Sequence, residues 1–392
     1  MNTLVLFGAG NIGRSFIGQL FSRSGYEVIF VDIDRKLVDA LNERRRYQVV
    51  IKHPDKADEP IDIENVRAIH ALDADAIAQA VADASIVATA VGQRALPAVI
   101  AAIAAGLKLR NTPLDIIIAE NLHSAANFFR HQLMDLLGKD FPLQTRVGLV
   151  ETSIGKMVPI MRAEDLAVDP LWVFAEPYNE LILDGAAFTN PIPDVNGLSP
   201  KQNMAAYVDR KLFIHNLGHC ATAYFSYCEN PAWDYTYEPL ANAGLHAQVK
   251  RCMMQSAQAL LRTYPDEFTP ASLEEHVDDL IARFQNKALG DTVYRVGRDL
   301  NRKLSKHDRL IGAMLLAKQC AVPCDEIARA VRAGTEFRKG DPTGALYPDD
   351  QRFMDQIYPA GLEHILTTVS GLSKNDPIEA AVIREVMELE QR

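Results

Sequence analysis

The sequence predicts an α/β, doubly wound N-terminal domain at residues 1–193, followed by a mainly α-helical C-terminal domain at 194–392. Three observations carry this. Short Val/Ile-rich runs alternate with helical patterns through the first half, as in a parallel sheet covered on both faces. A stretch containing Pro and Asn, Thr189–Gly197, then breaks the alternation and marks a domain edge near Pro193. Beyond it the pattern is helical almost to the end, interrupted only by loops such as Arg338–Pro348. At about 150 residues per domain, 392 residues also require more than one.

The strand candidates, in order, are Thr3–Phe7, Glu27–Val31, Ile86–Ala90, Asp115–Ala119 and Arg146–Val150. Each is a short apolar run of strand length. Helical periodicity fills the gaps at Asn11–Ser24, Lys36–Arg46, Asp73–Ala82, Leu96–Leu107 and His123–Leu137. Further β-like runs are Tyr47–Lys52, Asn65–His70, Leu171–Ala175 and Glu180–Leu183. The longest apolar stretch, Ala95–Leu107, is 13 residues, short of a membrane span, and reads as a buried helix.

Composition narrows the function. There are 41 basic and 51 acidic side chains, a net of −10, which argues against nucleic acid or an anionic membrane as partner. Nothing signals self-association, so a monomer is expected. The N-terminus has no basic region ahead of its first apolar run and does not read as a signal peptide. The five cysteines include no C-x-x-C, which fits a reducing, cytoplasmic setting. Neither Cys320-x3-Cys324 nor His219-Cys220 completes a zinc-ligand set, so no metal is expected.

The first motif is Gly8-Ala9-Gly10-Asn11-Ile12-Gly13, placed after a strand and opening a helix. Gly8 suits the tight turn, Gly10 lets backbone approach a pyrophosphate, and Gly13 allows close helix–strand packing. Main-chain N–H groups at a helix N-terminus face negative phosphates. Asp32, 19 residues beyond Gly13, is placed to accept from a ribose 2′-OH and would repel a 2′-phosphate. The reading is a Rossmann-type domain that binds NAD in preference to NADP. Thr89 and Val91, at the end of the strand Ile86–Ala90, would pass beneath the pyrophosphate or nicotinamide ribose.

The second motif is Lys211-x4-Asn216-x2-His219. At about 100° per residue, Lys211, His219 and Asn216 fall near 0°, 80° and 140° on one broad helix face. A desolvated lysine there can act as general base, and Asn216 can donate to a developing alkoxide. Tyr207-x3-Lys211 offers another reading, with tyrosine as the acid/base, as in short-chain dehydrogenases. Those enzymes keep both residues inside the Rossmann domain.

Lys-x4-Asn-x2-His resembles the signature of the polyol-specific long-chain dehydrogenases, NAD(P)-dependent enzymes that use no metal. The segment Phe7–Arg14 resembles that family's cofactor loop, and Glu120-Asn121 resembles its Asp/Glu-Asn pair. The runs Asp291–Arg309 and Val369–Leu372 are most similar to a branch acting on a hexitol phosphate. Matches extend from residue 4 to about residue 385. The resemblance implies interconversion of D-mannitol 1-phosphate and D-fructose 6-phosphate with NAD. Lys211 would be the base, Asn216 and Asn121 would polarise the carbonyl oxygen, and His219 would orient the substrate. An unphosphorylated polyol or a hexuronate is the alternative substrate, as in other branches. One departure stands out. Gly155-Lys156 replaces an Asp-Arg pair often found after the strand Arg146–Val150. Water or another carboxylate such as Glu151 then takes the aspartate's role, or the substrate range has shifted.

Residues 295–309 carry Arg295, Arg298, Arg302, Lys303, Lys306 and Arg309 against Asp299 and Asp308, a net of +4. Arginine's fork suits phosphate and lysine adds a point charge. With the resemblance, the run reads as a clamp for a small sugar phosphate, with Arg295, Arg298 and Lys303 as the candidate contacts.

Overall fold

A computed structural model describes residues 2–389 apart from His123 and Ile160. The chain divides into two units, Met1–Met204 and Ala205–Arg392.

The strands of the first unit are β1 (Thr3–Phe7), β2 (Glu27–Asp32), β3 (Tyr47–Ile51), β4 (Glu59–Ile63), β5 (Val66–His70), β6 (Ile86–Thr89), β7 (Leu114–Ile118), β8 (Val147–Ser153), β9 (Val173–Ala175), β10 (Leu181–Asp184) and β11 (Leu198–Lys201). The main sheet runs β11-β10-β8-β7-β6-β1-β2-β5, and β4-β3-β9 form a small second sheet. All pairs from β5 across to β8 are parallel. Strand order reverses between β1 and β6, so the crevice beyond their C-terminal ends is the ligand position of an open α/β sheet.

Alternation along each strand builds two cores. Leu4, Leu6, Val28 and Phe30 enter one cluster. Val5, Phe7, Ile29 and Val31 enter the other, on the opposite face. Strands buried on both faces read as continuous apolar runs, and that made this half legible.

The differences from expectation have local causes. β4 (Glu-Pro-Ile-Asp-Ile) is half-exposed and polar, so its sequence lacks the apolar run of a buried strand. The helix Leu96–Leu109 buries one side only, with Leu109 60% exposed. The helix expected from His123 is described as Ala125–Leu137, and its expected start lies outside the described residues. Beyond the break expected near Pro193, the chain stays with the first sheet. β11 pairs in parallel with β10. The buried Asp115 carboxylate accepts from the Thr189 and Asn190 amides at 2.7 and 3.2 Å and from Asn190 Nδ2 at 2.8 Å. A buried carboxylate demands such partners, so Thr189–Asn190 is stapled to the sheet.

In the second unit the almost wholly buried helix Leu217–Glu229 is packed by Ala243–Thr263, Val293–Gly297 and Asp325–Thr335. Asp350 accepts from the Asp299 and Leu300 amides and so starts the short helix Leu300–Lys303. Among the described residues, no helix is long and apolar enough to cross a membrane.

Candidate active site

In the first unit the glycine loop sits at the C-terminal end of β1. Gly8 has φ +97°, and a Cβ there would lie 2.4 Å from the Ala90 carbonyl oxygen. A Cβ on Gly13 would lie 2.0 Å from the Gly8 carbonyl oxygen, so only hydrogen lets the helix start this close to the strand. Gly10 differs: nothing among the described residues lies within 4 Å of its Cβ position. It opens onto space where a pyrophosphate fits, beside the half-buried Asn11 and Ile12 that begin the helix. The helix continues through a π-helical segment, Gly13–Gly18.

Two side chains hold the loop. Asp32 Oδ2 accepts from the Ala9 amide at 2.7 Å, and Oδ1 from the Asp34 amide at 2.9 Å. It is not the cap of the next helix; Asp34 is. Asp32 remains partly exposed and has further lone pairs for a ribose hydroxyl. The buried Arg14 donates from Nε to the Ala9 carbonyl and from a terminal nitrogen to the Leu171 carbonyl, each at 2.7 Å. Ile33, 74% exposed just beyond Asp32, adds an apolar face of the kind an adenine packs on; the sequence reading missed it.

Thr89 ends β6, and Val91 lies against the glycine loop, its Cγ1 3.1 Å from the Cβ position of Gly8. Thr89 is fully buried between Phe7 and Ile118 in the sheet. The Val91 amide, with that of Gly92, donates to the Glu120 carboxylate at 2.8 Å. They form the floor of the loop, and Glu120 fixes its shape. Burial pushes the Glu120 carboxyl up, and these two amides hold it down in part. Asn121 follows, exposed, with its carbonyl accepting from Gln93.

Gly155 leaves room: a Cβ there would meet Tyr178 only at ordinary contact, 3.5 Å or more. Lys156 donates to the Tyr178 carbonyl and Asn179. Glu151 accepts from the Ala126 amide at 2.7 Å, at the start of the helix Ala125–Leu137.

In the second unit Lys211–Asn216 form another π-helical segment, between the helices Met204–Arg210 and Leu217–Glu229. Its i→i+5 bonding stacks Lys211 under Asn216, one turn apart, closer in angle than an α-helical count implies. Burial, then the nearby Arg309, lowers the Lys211 ammonium to about 8. Among the described residues, the Asn216 side-chain amide has no hydrogen-bond partner, while its backbone carbonyl accepts from Arg309. His219 lies 2.8 Å from Asp291, a residue the sequence reading passed over. His215 packs against Phe284, and burial takes its pKa well below the ordinary value. The Tyr207 ring packs on Phe268, with Arg210 over its face.

The basic run is less open than its charge count implies. Arg295 pairs with Asp291, Arg302 with Asp299 and Asp308, Arg309 with Asp308, and Lys306 with Glu379. Lys303 is only 4% exposed and donates to the Val296 carbonyl; burial, then Arg309, lowers it to about 7. It is therefore no exposed point charge. Arg298 is flanked by the Tyr294 and Tyr347 rings at 5.3 Å, and no carboxylate among the described residues is within ion-pair distance.

A parallel sheet with a glycine loop at its switch point, and a helical unit bearing a Lys–Asn–His face, define a two-domain dehydrogenase. The chain belongs to the mannitol dehydrogenase family: the family's Rossmann domain matches residues 2–197 and its C-terminal domain residues 203–389. Mannitol-1-phosphate 5-dehydrogenase of Brevibacillus brevis is 32% identical, covering 99% of this chain and 98% of its own. The enzyme of the same name from Thermoanaerobacter pseudethanolicus is 31% identical over the same shares. Mannitol 2-dehydrogenase of Pseudomonas fluorescens, solved as a ternary complex with NAD and D-mannitol, shares the fold. Its TM-score is 0.72 at 17% identity, over 99% of this chain and 92% of that one.

Proposed function

We infer that this chain is an NAD-dependent oxidoreductase interconverting D-mannitol 1-phosphate and D-fructose 6-phosphate, acting as a cytoplasmic monomer on a small sugar phosphate. The observation that carries it is near-full-length identity above 30% to two enzymes of that name, in a chain that keeps Lys211, Asn216 and His219 on one segment.

The first unit fits the cofactor: Gly10 leaves the pyrophosphate space open, and Asp32 takes the ribose hydroxyl. Bound NAD supplies the acceptor for the carbinol hydride. Lys211, neutral above about 8, takes the hydroxyl proton during oxidation and returns it to the carbonyl oxygen in reduction. The Asn216 and Asn121 amides stabilise negative charge on that oxygen. His219 orients the substrate. Arg298, held between two rings with no acid partner among the described residues, takes the phosphate. None of these roles needs a metal ion.

Following NADH oxidation with fructose 6-phosphate, fructose, fructuronate and tagaturonate in parallel tests the assignment. Fructose 6-phosphate is expected to be turned over fastest; brisk turnover of fructose or a hexuronate beside an inert fructose 6-phosphate would overturn it.

The pH dependence follows from Lys211. Oxidation needs the free amine, so log kcat/KM for the polyol rises with unit slope below about 8 and levels above it. Reduction needs the ammonium and shows the mirror limb. A flat profile from pH 6.5 to 9.5 would remove Lys211 as the proton acceptor.

A further inference from the structure

Asp291 precedes the helix Val293–Gly297, 72 residues from His219, and is 6% exposed. Its Oδ2 meets His219 Nε2 at 2.8 Å. Its Oδ1 accepts from Arg295 Nε at 2.7 Å and lies 2.6 Å from a terminal nitrogen of the same guanidinium. The His219 ring stacks on Phe284, centroids 4.6 Å apart and planes 4° from parallel, which fixes its plane.

Chemistry then fixes the tautomer. Burial raises the Asp291 carboxyl, but His219 and Arg295 outweigh burial and hold it below the usual range, so it is ionised. An ionised carboxylate only accepts, and the imidazole nitrogen facing it must carry the proton. Burial lowers the His219 pKa, as do Arg295 and Lys303, against the pull of Asp291; the ring is neutral near pH 7. A neutral ring protonated at Nε2 has a bare Nδ1, which accepts a hydrogen bond and cannot donate one.

We propose that Asp291 is a positioning residue: it fixes His219 as an Nδ1 acceptor for a substrate hydroxyl and holds the Arg295 guanidinium in place. One carboxylate thereby aligns two substrate-facing groups. This rests on the functional reading above, in which His219 orients the substrate, and on the expectation from the sequence that Arg295 is one of the phosphate contacts. Removing the residue that fixes a metal-ligating histidine's tautomer typically changes function by about 10- to 100-fold, and the same range is expected for a substrate-orienting one.

Asp291→Ala is expected to lower kcat/KM for fructose 6-phosphate by about 10- to 100-fold, mostly in kcat, with NADH affinity unchanged. Asp291→Asn keeps an acceptor for the Nε2 proton but loses the ion pair to Arg295. It is expected to recover most of kcat while KM stays raised, and it carries the kinetic test if the alanine variant does not fold. Long-range 1H–15N spectra of histidine-labelled enzyme, with His219 assigned through His219→Gln, read the tautomer directly. Nε2 protonation in the native enzyme and a mixture in Asp291→Ala are expected. A kcat/KM for Asp291→Ala within about threefold of native, or Nδ1 protonation in the native enzyme, overturns the proposal. If the native enzyme turns over none of the ketoses, the functional reading fails instead, and the tautomer alone decides the role of Asp291.

Discussion

Lys211→Ala is expected to lower turnover about 10³- to 10⁴-fold in both directions while NADH binds with unchanged affinity. A positioned acid/base is worth roughly 10² to 10⁴ in rate. The upper part of that range applies because burial and Arg309 bring this ammonium to about 8, where it both takes and returns a proton near neutral pH. Lys211→Arg sharpens the test. Guanidinium keeps the charge and the donors but does not release a proton in water. A purely electrostatic lysine would survive that change; a proton-transferring one would not. Tyr207→Phe, by contrast, is expected to remain active, since the Tyr207 ring is engaged by Phe268 and Arg210. An active Lys211→Arg enzyme, or a dead Tyr207→Phe enzyme that is still folded, would move the base away from Lys211.

Gly10→Asp is expected to abolish NADH binding without unfolding the protein. The two halves of that result have separate causes. The Cβ of residue 10 meets nothing within 4 Å among the described residues, so the side chain fits. Its carboxylate then lies where a pyrophosphate would sit, and two like charges about 4 Å apart near a surface repel by about 4 kcal/mol. That corresponds to roughly a thousandfold in Kd. Fluorescence titration with NADH and a thermal melt on the same sample measure both. Gly8→Ala gives the opposite pairing, because its Cβ would sit 2.4 Å from the Ala90 carbonyl at a positive φ: the melt collapses first. Unweakened NADH binding by Gly10→Asp would mean that the phosphates lie elsewhere.

The α/β half is readable in the chain because burial on both faces writes central strands as apolar runs, as in Leu-Val-Leu-Phe of β1. Edge elements carry no such signature. β11, Leu-Ser-Pro-Lys, has one clear apolar residue and is made a strand by its pairing with β10. The same contrast divides the site. The glycine loop and Lys211, Asn216 and His219 are local in sequence, so spacing exposes them. Partnerships are not local. Nothing near Lys306 foretells Glu379, 73 residues on, and nothing near His219 foretells Asp291. Charge counting therefore overstates the open positive charge of residues 295–309, of which Arg298 and the buried Lys303 have no acid within ion-pair distance among the described residues. The π-helical turn at Lys211–Asn216 has no composition of its own, so residue spacing alone reads it as α-helix.

The Arg14 tie has a meaning for the order of events at the ribosome. The residue that anchors the other end of its guanidinium, Leu171, lies 157 positions later in the chain. At about 5–20 residues per second, translation delivers Leu171 roughly 8 to 30 s after Arg14. Throughout that interval the nascent loop has its glycines and Arg14, but not the Leu171 carbonyl that anchors the other end of the guanidinium. The Arg14 tie is thus completed only when nearly half of the 392 residues have been made, although the loop's signature is among the first residues made.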